Sequence, residues 1–265
     1  MSSLKSLIAS PASGRTRPVL IDHTDYATAV IRQGQPIPWA DLAALTGHQG
    51  QVHALLDPDA TWLDVGAVQG AHLVADPELG AAMGARSRTG YALRTLLADE
   101  DGVAGVQRTA KTLADAARRP LVLSLPSPAR WLGRAHGVAG TGLDEIDPDR
   151  ADMASTYIAE WLGKLSELPV ALVLLDARAR VGDPIAQPES VSDYSAITNI
   201  ASHLDWVVAL RTDDQVETSD GTTISLLPEG FWSDDDEIPA GDALLTGIPA
   251  SAQPERVLEK LARLA

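Results

Sequence analysis

From about residue 18 to the end of the chain, short aliphatic runs alternate with longer stretches whose apolar residues recur at helical spacing. The runs at 120–125, 170–175 and 206–210 are nearly unbroken Leu, Val and Ala. Such runs mark strands buried on both faces. Further strands are predicted at 222–227, 243–246 and 19–21, and a weaker one at 62–68. That makes about seven, and the stretch 52–56 reads either as the missing strand or as helix.

Helices are predicted between them. Residues 76–98 and 103–118 are rich in Ala and Leu with polar residues at helical spacing, and 149–168 repeats Met153, Tyr157, Ile158, Trp161, Leu162 and Leu165. The segments 192–204 and 253–264 complete the set, the last with Pro254 in its first turn and Arg263 near its end. Strand and helix in alternation predict βα units on a parallel sheet. A length of 265 residues lies close to that of an eight-fold barrel. The expected fold class is therefore α/β, a parallel (β/α)8 TIM-type barrel over 18–265, one recognised strand short or irregular in its N-terminal part. Residues 1–17, rich in Ser, Pro, Gly and Arg, read as a flexible arm.

Composition narrows the partners. A formal net charge of -15 would repel a phosphate backbone, which argues against nucleic acid. The chain has no cysteine, so disulfides, thiolate zinc sites, iron–sulfur clusters and cysteine nucleophiles are all excluded. No apolar run is long enough to span a bilayer, and the first ten residues lack a signal-peptide core; a cytoplasmic protein with no membrane partner is expected. Gly137 to Gly142 is no phosphate loop, because no Lys-Ser/Thr follows it. The remaining histidines lack the pairing of a metal motif, and the acidic run Ser233 to Glu237 lacks the spacing of a calcium loop and reads as solvated. No cofactor is expected.

In parallel α/β folds ligands bind beyond the carboxyl ends of the strands, so the polar residues that end each run are the candidates. They are Asp22-His23, Ser124 to Pro128, Asp176-Ala-Arg178, Arg211-Thr-Asp213 and Pro228-Glu229. His23 beside Asp22 has the makings of a general base, or Asp22 simply caps the next helix. Asp176, on the most hydrophobic strand, requires a cationic partner, for which Arg178 and Arg211 are the natural choices. The pair is either structural or a clamp for an anionic substrate, and Arg211 with Asp213 shares that ambiguity. Ser127, between two prolines, is rigid; no Gly-x-Ser-x-Gly elbow makes it a nucleophile, so it serves a turn or faces a ligand.

Three segments resemble the superfamily that joins uroporphyrinogen decarboxylase to the barrel of cobalamin-independent methionine synthase. They are Pro120-Leu-Val-Leu-Ser-Leu-Pro-Ser-Pro128, Ala171-Leu-Val-Leu-Leu-Asp176 after the helix at 151–168, and Leu244-Leu-Thr-Gly-Ile-Pro249. The resemblance implies methyl or one-carbon transfer, or decarboxylation. Asp176-Ala-Arg178 replaces that superfamily's usual Asp-Glu-Pro, no His-x-Cys follows 206–210, and the arginine motif of the decarboxylases is not visible in 18–40, so zinc is not expected.

Two functions follow as expectations. In the first, a barrel enzyme binds a small anionic or aromatic substrate, with Asp176, His23 and Asp22 handling protons and Arg178, Arg211, Asp213, Ser127 and Glu229 holding it. In the second, a non-catalytic subunit of a larger complex presents Trp39, Trp131 or Trp232 at a homo- or hetero-oligomeric interface.

Overall fold

The computed structural model describes residues 3–234 and 236–264. Its elements begin with α1 (Leu4–Ala9), β1 (Val19–Asp22), a single turn α2 (Thr24–Tyr26) that continues as π-helix at Ala27–Ile31, and α3 (Leu42–Leu56). Next come β2 (Thr61–Asp64), α4 (Val65–Ala75), α5 (Pro77–Met83), α6 (Tyr91–Ala98) and α7 (Glu100–Ala117). The central part holds β3 (Leu121–Pro126), α8 (Pro128–Val138), α9 (Pro148–Gly163), β4 (Val170–Asp176) and α10 (Ser195–His203). The chain closes with β5 (Val207–Arg211), β6 (Val216–Thr218), β7 (Ile224–Leu226), β8 (Ala243–Gly247) and α11 (Pro254–Ala262).

The α/β class is as the sequence predicts. Ladders join the strands into two sheets rather than one, in the orders β2-β3-β4-β5-β6 and β1-β8-β7. Every neighbouring pair is parallel except β5 and β6, which are antiparallel because a four-residue link, 212–215, is too short for a crossover.

Side chains alternate across each strand, and the two faces find different partners. On one face Leu20, Trp62, Val122, Leu172, Leu174, Val207, Ala209, Ile224, Ala243 and Leu245 form a single buried cluster drawn from both sheets. On the other, Val19, Ile21 and Leu244 pack with Val52, Leu56, Val257 and Leu261 of α3 and α11. Leu63, Leu121, Leu123, Val173, Leu175 and Val208 pack with α6 to α10 in the largest cluster. Where β1 runs beside β2, a carboxylate replaces the ladder. Asp59, fully buried, accepts from Val19 N at 2.9 Å and Ser13 N at 2.8 Å, and its own amide donates to Val19 O at 3.1 Å. Arg15 Nη1, 3.4 Å away, balances its charge.

Several sequence expectations are corrected. Residues 4–9, read as part of a flexible arm, form α1, capped by Ser3; Leu4 and Leu7 are buried in the inner cluster, a pattern too short to register as a helical period. Residues 52–56 belong to α3, and the eighth strand is the short β6, whose three residues carry no aliphatic run. The run 62–68 splits after Asp64, where α4 begins, and 76–98 is two helices, α5 and α6. Trp131 and Trp232 are core residues at 3% and 1% exposure, so neither offers an interface. Of the acidic run at 233–237, Asp235 lies outside the described residues. Among the described residues no helix is long and apolar enough to cross a membrane.

Candidate functional site

The inner face that carries Leu20, Trp62, Val122, Leu174 and Ala209 continues, two residues further along each strand, into Asp22, Asp64, Ser124, Asp176 and Arg211. Period-two alternation thus places a layer of charged side chains on top of an apolar core, at the carboxyl ends of the strands. Register sets the layer in two steps: Asp64 is opposite Ser124, but Ser124 is opposite Leu174, so Asp176, opposite Pro126 and Arg211, stands two residues further along, while Asp22 is opposite Gly247.

Two cavities open above this layer. The first, about 390 Å³, is bordered by Asp64, Asp176, Arg134 and Arg180, with Trp62 beneath. The second, about 320 Å³, is bordered by Arg211, Glu229 and the turn Gly247-Ile248-Pro249. Asp22, Asp25, Arg178 and Asp213 border both and form the partition between them.

Asp176 is the most heavily bonded of these groups. Its carboxylate accepts from the Arg178 amide at 3.1 Å, from Arg178 Nε at 2.9 Å and Nη2 at 3.0 Å, and from Arg180 Nη2 at 3.3 Å. Burial pushes its pKa up, but Arg178 and Arg180 more than offset this and hold it below the usual carboxylate value. With all that capacity engaged, Asp176 is a fixed anion.

Asp64 is the opposite case. Its Oδ1 caps α4 by accepting from Ala67 N at 2.9 Å, while among the described residues no donor bonds to Oδ2. Burial, and then the neighbouring carboxylates Asp22 and Asp176, push its pKa above the ordinary value despite the capping bond and Arg134. It is the carboxyl group of the mouth best suited to carry a proton. Two guanidinium groups nearby have N–H capacity to spare: Arg134 Nη2, and Arg211 Nε and Nη1, are buried without a hydrogen-bond partner among the described residues. Arg211 Nη1 lies 3.9 Å from Asp22 Oδ2, beyond hydrogen-bond distance. Burial lowers the pKa of both arginines, yet an arginine remains charged at neutral pH.

The structure therefore brings together Asp22, Asp176, Arg178, Arg211, Asp213 and Glu229 as the sequence suggests. Asp213 is bonded to the Ala179 amide at 3.0 Å rather than paired with Arg211. Two expected site residues do not join them. His23 is 1% exposed and borders neither cavity; it packs edge-on to His48 at 6.1 Å between ring centroids, with no hydrogen bond to either ring nitrogen. Burial, with His48 and His53 beside it, pushes its pKa down to about 3, so it is neutral and removed from the mouth. Ser127 is fully buried, its hydroxyl donating to Glu189 Oε2 at 2.7 Å, and Glu189 also takes the Tyr194 hydroxyl. That network anchors the loop after β4 to α8, and Ser127 borders neither cavity.

Asp64, Arg134 and Arg180 were missed. The signal for Asp64 was its place three residues before the Ala67 amide that it caps; for Arg134 it was spacing four residues after Arg130 on the helix that follows β3. Among the described residues no group of three or more His, Asp or Glu side chains is placed to hold a metal ion. Compared with known protein families, curated proteins and solved structures, the chain gives no match.

Proposed function

We propose that the two sheets are arcs of one distorted barrel of the uroporphyrinogen decarboxylase and methionine synthase type, and that its mouth is the active site of an enzyme acting on a small carboxylate-bearing substrate. The observation that supports this reading is one chamber holding both a half-free carboxyl with a raised pKa, Asp64, and a guanidinium with an unpartnered N–H, Arg134. An arginine with unused donors in a partly desolvated cavity is a carboxylate receptor.

Of the reaction types the resemblance implies, decarboxylation uses these groups most directly. The carboxylate docks on Arg134. The bond from carbon to the carboxylate breaks, the electron pair stays on that carbon with help from an adjacent carbonyl or heteroaromatic ring of the substrate, and carbon dioxide leaves. Asp64 delivers its proton to the carbanion and recovers one from solvent. Asp176, locked to Arg178, keeps the mouth in shape and balances charge.

The test is carbon dioxide release from a panel of carboxyl-labelled β-keto and heteroaryl-acetic acids by the purified protein. Release that is lost in both Asp64→Asn and Arg134→Gln supports the reading. No release, together with no carboxylate binding by calorimetry, would leave the accessory-subunit reading in its place.

A further inference from the structure

Beyond Arg180 lies a third cavity, of about 480 Å³, and its chemistry differs from that of the mouth. Its walls are Ala177, Ala179, Ile185, Ala186 and Pro188, and Ala179, Arg180 and Asp213 border it and the first cavity alike. Most charged groups around it are already engaged. Asp183 holds the buried Arg130, Glu189 holds Ser127 and Tyr194, and Asp213 accepts from the Ala179 amide. Gln187, Thr212 and Asp214 also line it, and Arg130 Nε is buried without a partner among the described residues, but the larger share of the surface left to a guest is apolar.

That wall is built rather than loose. Residues 184–186 are strapped to Ile146 by Ile146 N donating to Pro184 O at 2.6 Å and Ala186 N donating to Ile146 O at 3.0 Å. The partition is weaker than the wall. Arg180 is half exposed and meets Asp176 through one contact of 3.3 Å, which is worth little at that exposure. Of the groups that border both cavities, Ala179 and Asp213 are joined by a hydrogen bond, so Arg180 is the side chain that a crossing guest displaces most easily.

We propose that the substrate is an amphipathic carboxylate, whose anionic end lies by Arg134 in the first cavity and whose hydrocarbon or aromatic body passes Arg180 into the third. This rests on the reading of the mouth as a carboxylate site. It names the substrate class that such a pair of joined chambers selects: a charged head with an apolar tail, not a compact polar acid.

The experiment is calorimetric titration of the full chain with acetate, butanoate and hexanoate. Affinity is expected to rise about threefold per methylene, the effect of moving each CH₂ largely out of water. Ala186→Trp, which fills the third cavity from its exposed side, is expected to flatten that series and leave acetate unchanged, and Ile185→Ser to halve its steepness. Equal affinity for all three acids, or an Ala186→Trp protein that keeps the full gain, overturns the inference while the mouth still binds carboxylates. If even acetate fails to bind, the carboxylate reading falls with it.

Discussion

Arg178 holds Asp176 through Nε at 2.9 Å and Nη2 at 3.0 Å, and the same Nη2 lies 3.7 Å from Asp22 Oδ2. One guanidinium thus spans the ends of β4 and β1, strands that belong to different sheets. Replacing it with glutamine leaves the nearly buried Asp176 with Arg180 and the backbone amide of residue 178. The expected loss is roughly 2 kcal/mol, between the worth of exposed and buried ion pairs, read as a lower urea midpoint. A smaller loss in Arg178→Gln made on an Asp176→Asn background marks the two as coupled.

Asp64→Asn separates chemistry from folding. Asparagine caps a helix about as well as aspartate, so the melting temperature is expected to stay within a few degrees, whereas turnover drops by about 10²-fold or more with the loss of the proton donor. In the wild type, activity is expected to persist above the ordinary carboxylate range, because the raised pKa keeps Asp64 protonated there, and to fall at higher pH as Asp64 ionises. Equal turnover in the variant and the wild type would remove Asp64 from the mechanism.

His23 sets a pH dependence of stability. Its pKa falls from 6.5 to about 3 on folding, so between those values the unfolded chain binds a proton that the folded one does not. Stability from this group is complete above pH 6.5 and declines as pH drops toward 3. His48 and His53, also lowered by burial, act in the same direction. Urea midpoints should decrease from pH 7 to pH 4, with His23→Phe showing a slope shallower by up to about 1.4 kcal/mol per pH unit. An unchanged slope contradicts the assignment.

Leu7 of α1 is 5% exposed against the inner cluster. Leu7→Ala is expected to cost about 2–3 kcal/mol, as for other buried leucines truncated to alanine. A flexible arm would give no change, so thermal or urea unfolding of this one variant distinguishes the two.

The long aliphatic strands were legible in the sequence because runs of five or six almost wholly apolar residues that end close to charged ones are the mark of strands buried on both faces. So were Asp22, Asp176, Arg178 and Arg211, which follow directly from where those runs stop. Asp64 was hidden because strand and helix abut there: Val65 is the first residue of α4, so the apolar pattern continues without a loop and the strand appears to run on. His23 shows the converse limit. Adjacency to a carboxylate in sequence suggests a catalytic pair, yet on a strand end neighbouring side chains point to opposite faces, and Asp22 takes the mouth while His23 takes the packed side. Ser127 likewise needed a partner 62 residues away, Glu189, before its role could be read.

The pairing of β1 with β8 joins residues 19–22 to residues 244–247. On a ribosome, β1 is made well before its ladder partner β8. The five-stranded sheet, whose strands follow one another along the chain, can assemble while synthesis continues, but β1 must wait with an open edge until β8 emerges. The Asp59 link to Val19 and Ser13 gives it a nearby anchor during that interval. Aggregation through unpaired edges is greatest for strands left in this position, so the moment of greatest risk for this fold falls between the synthesis of β1 and that of β8.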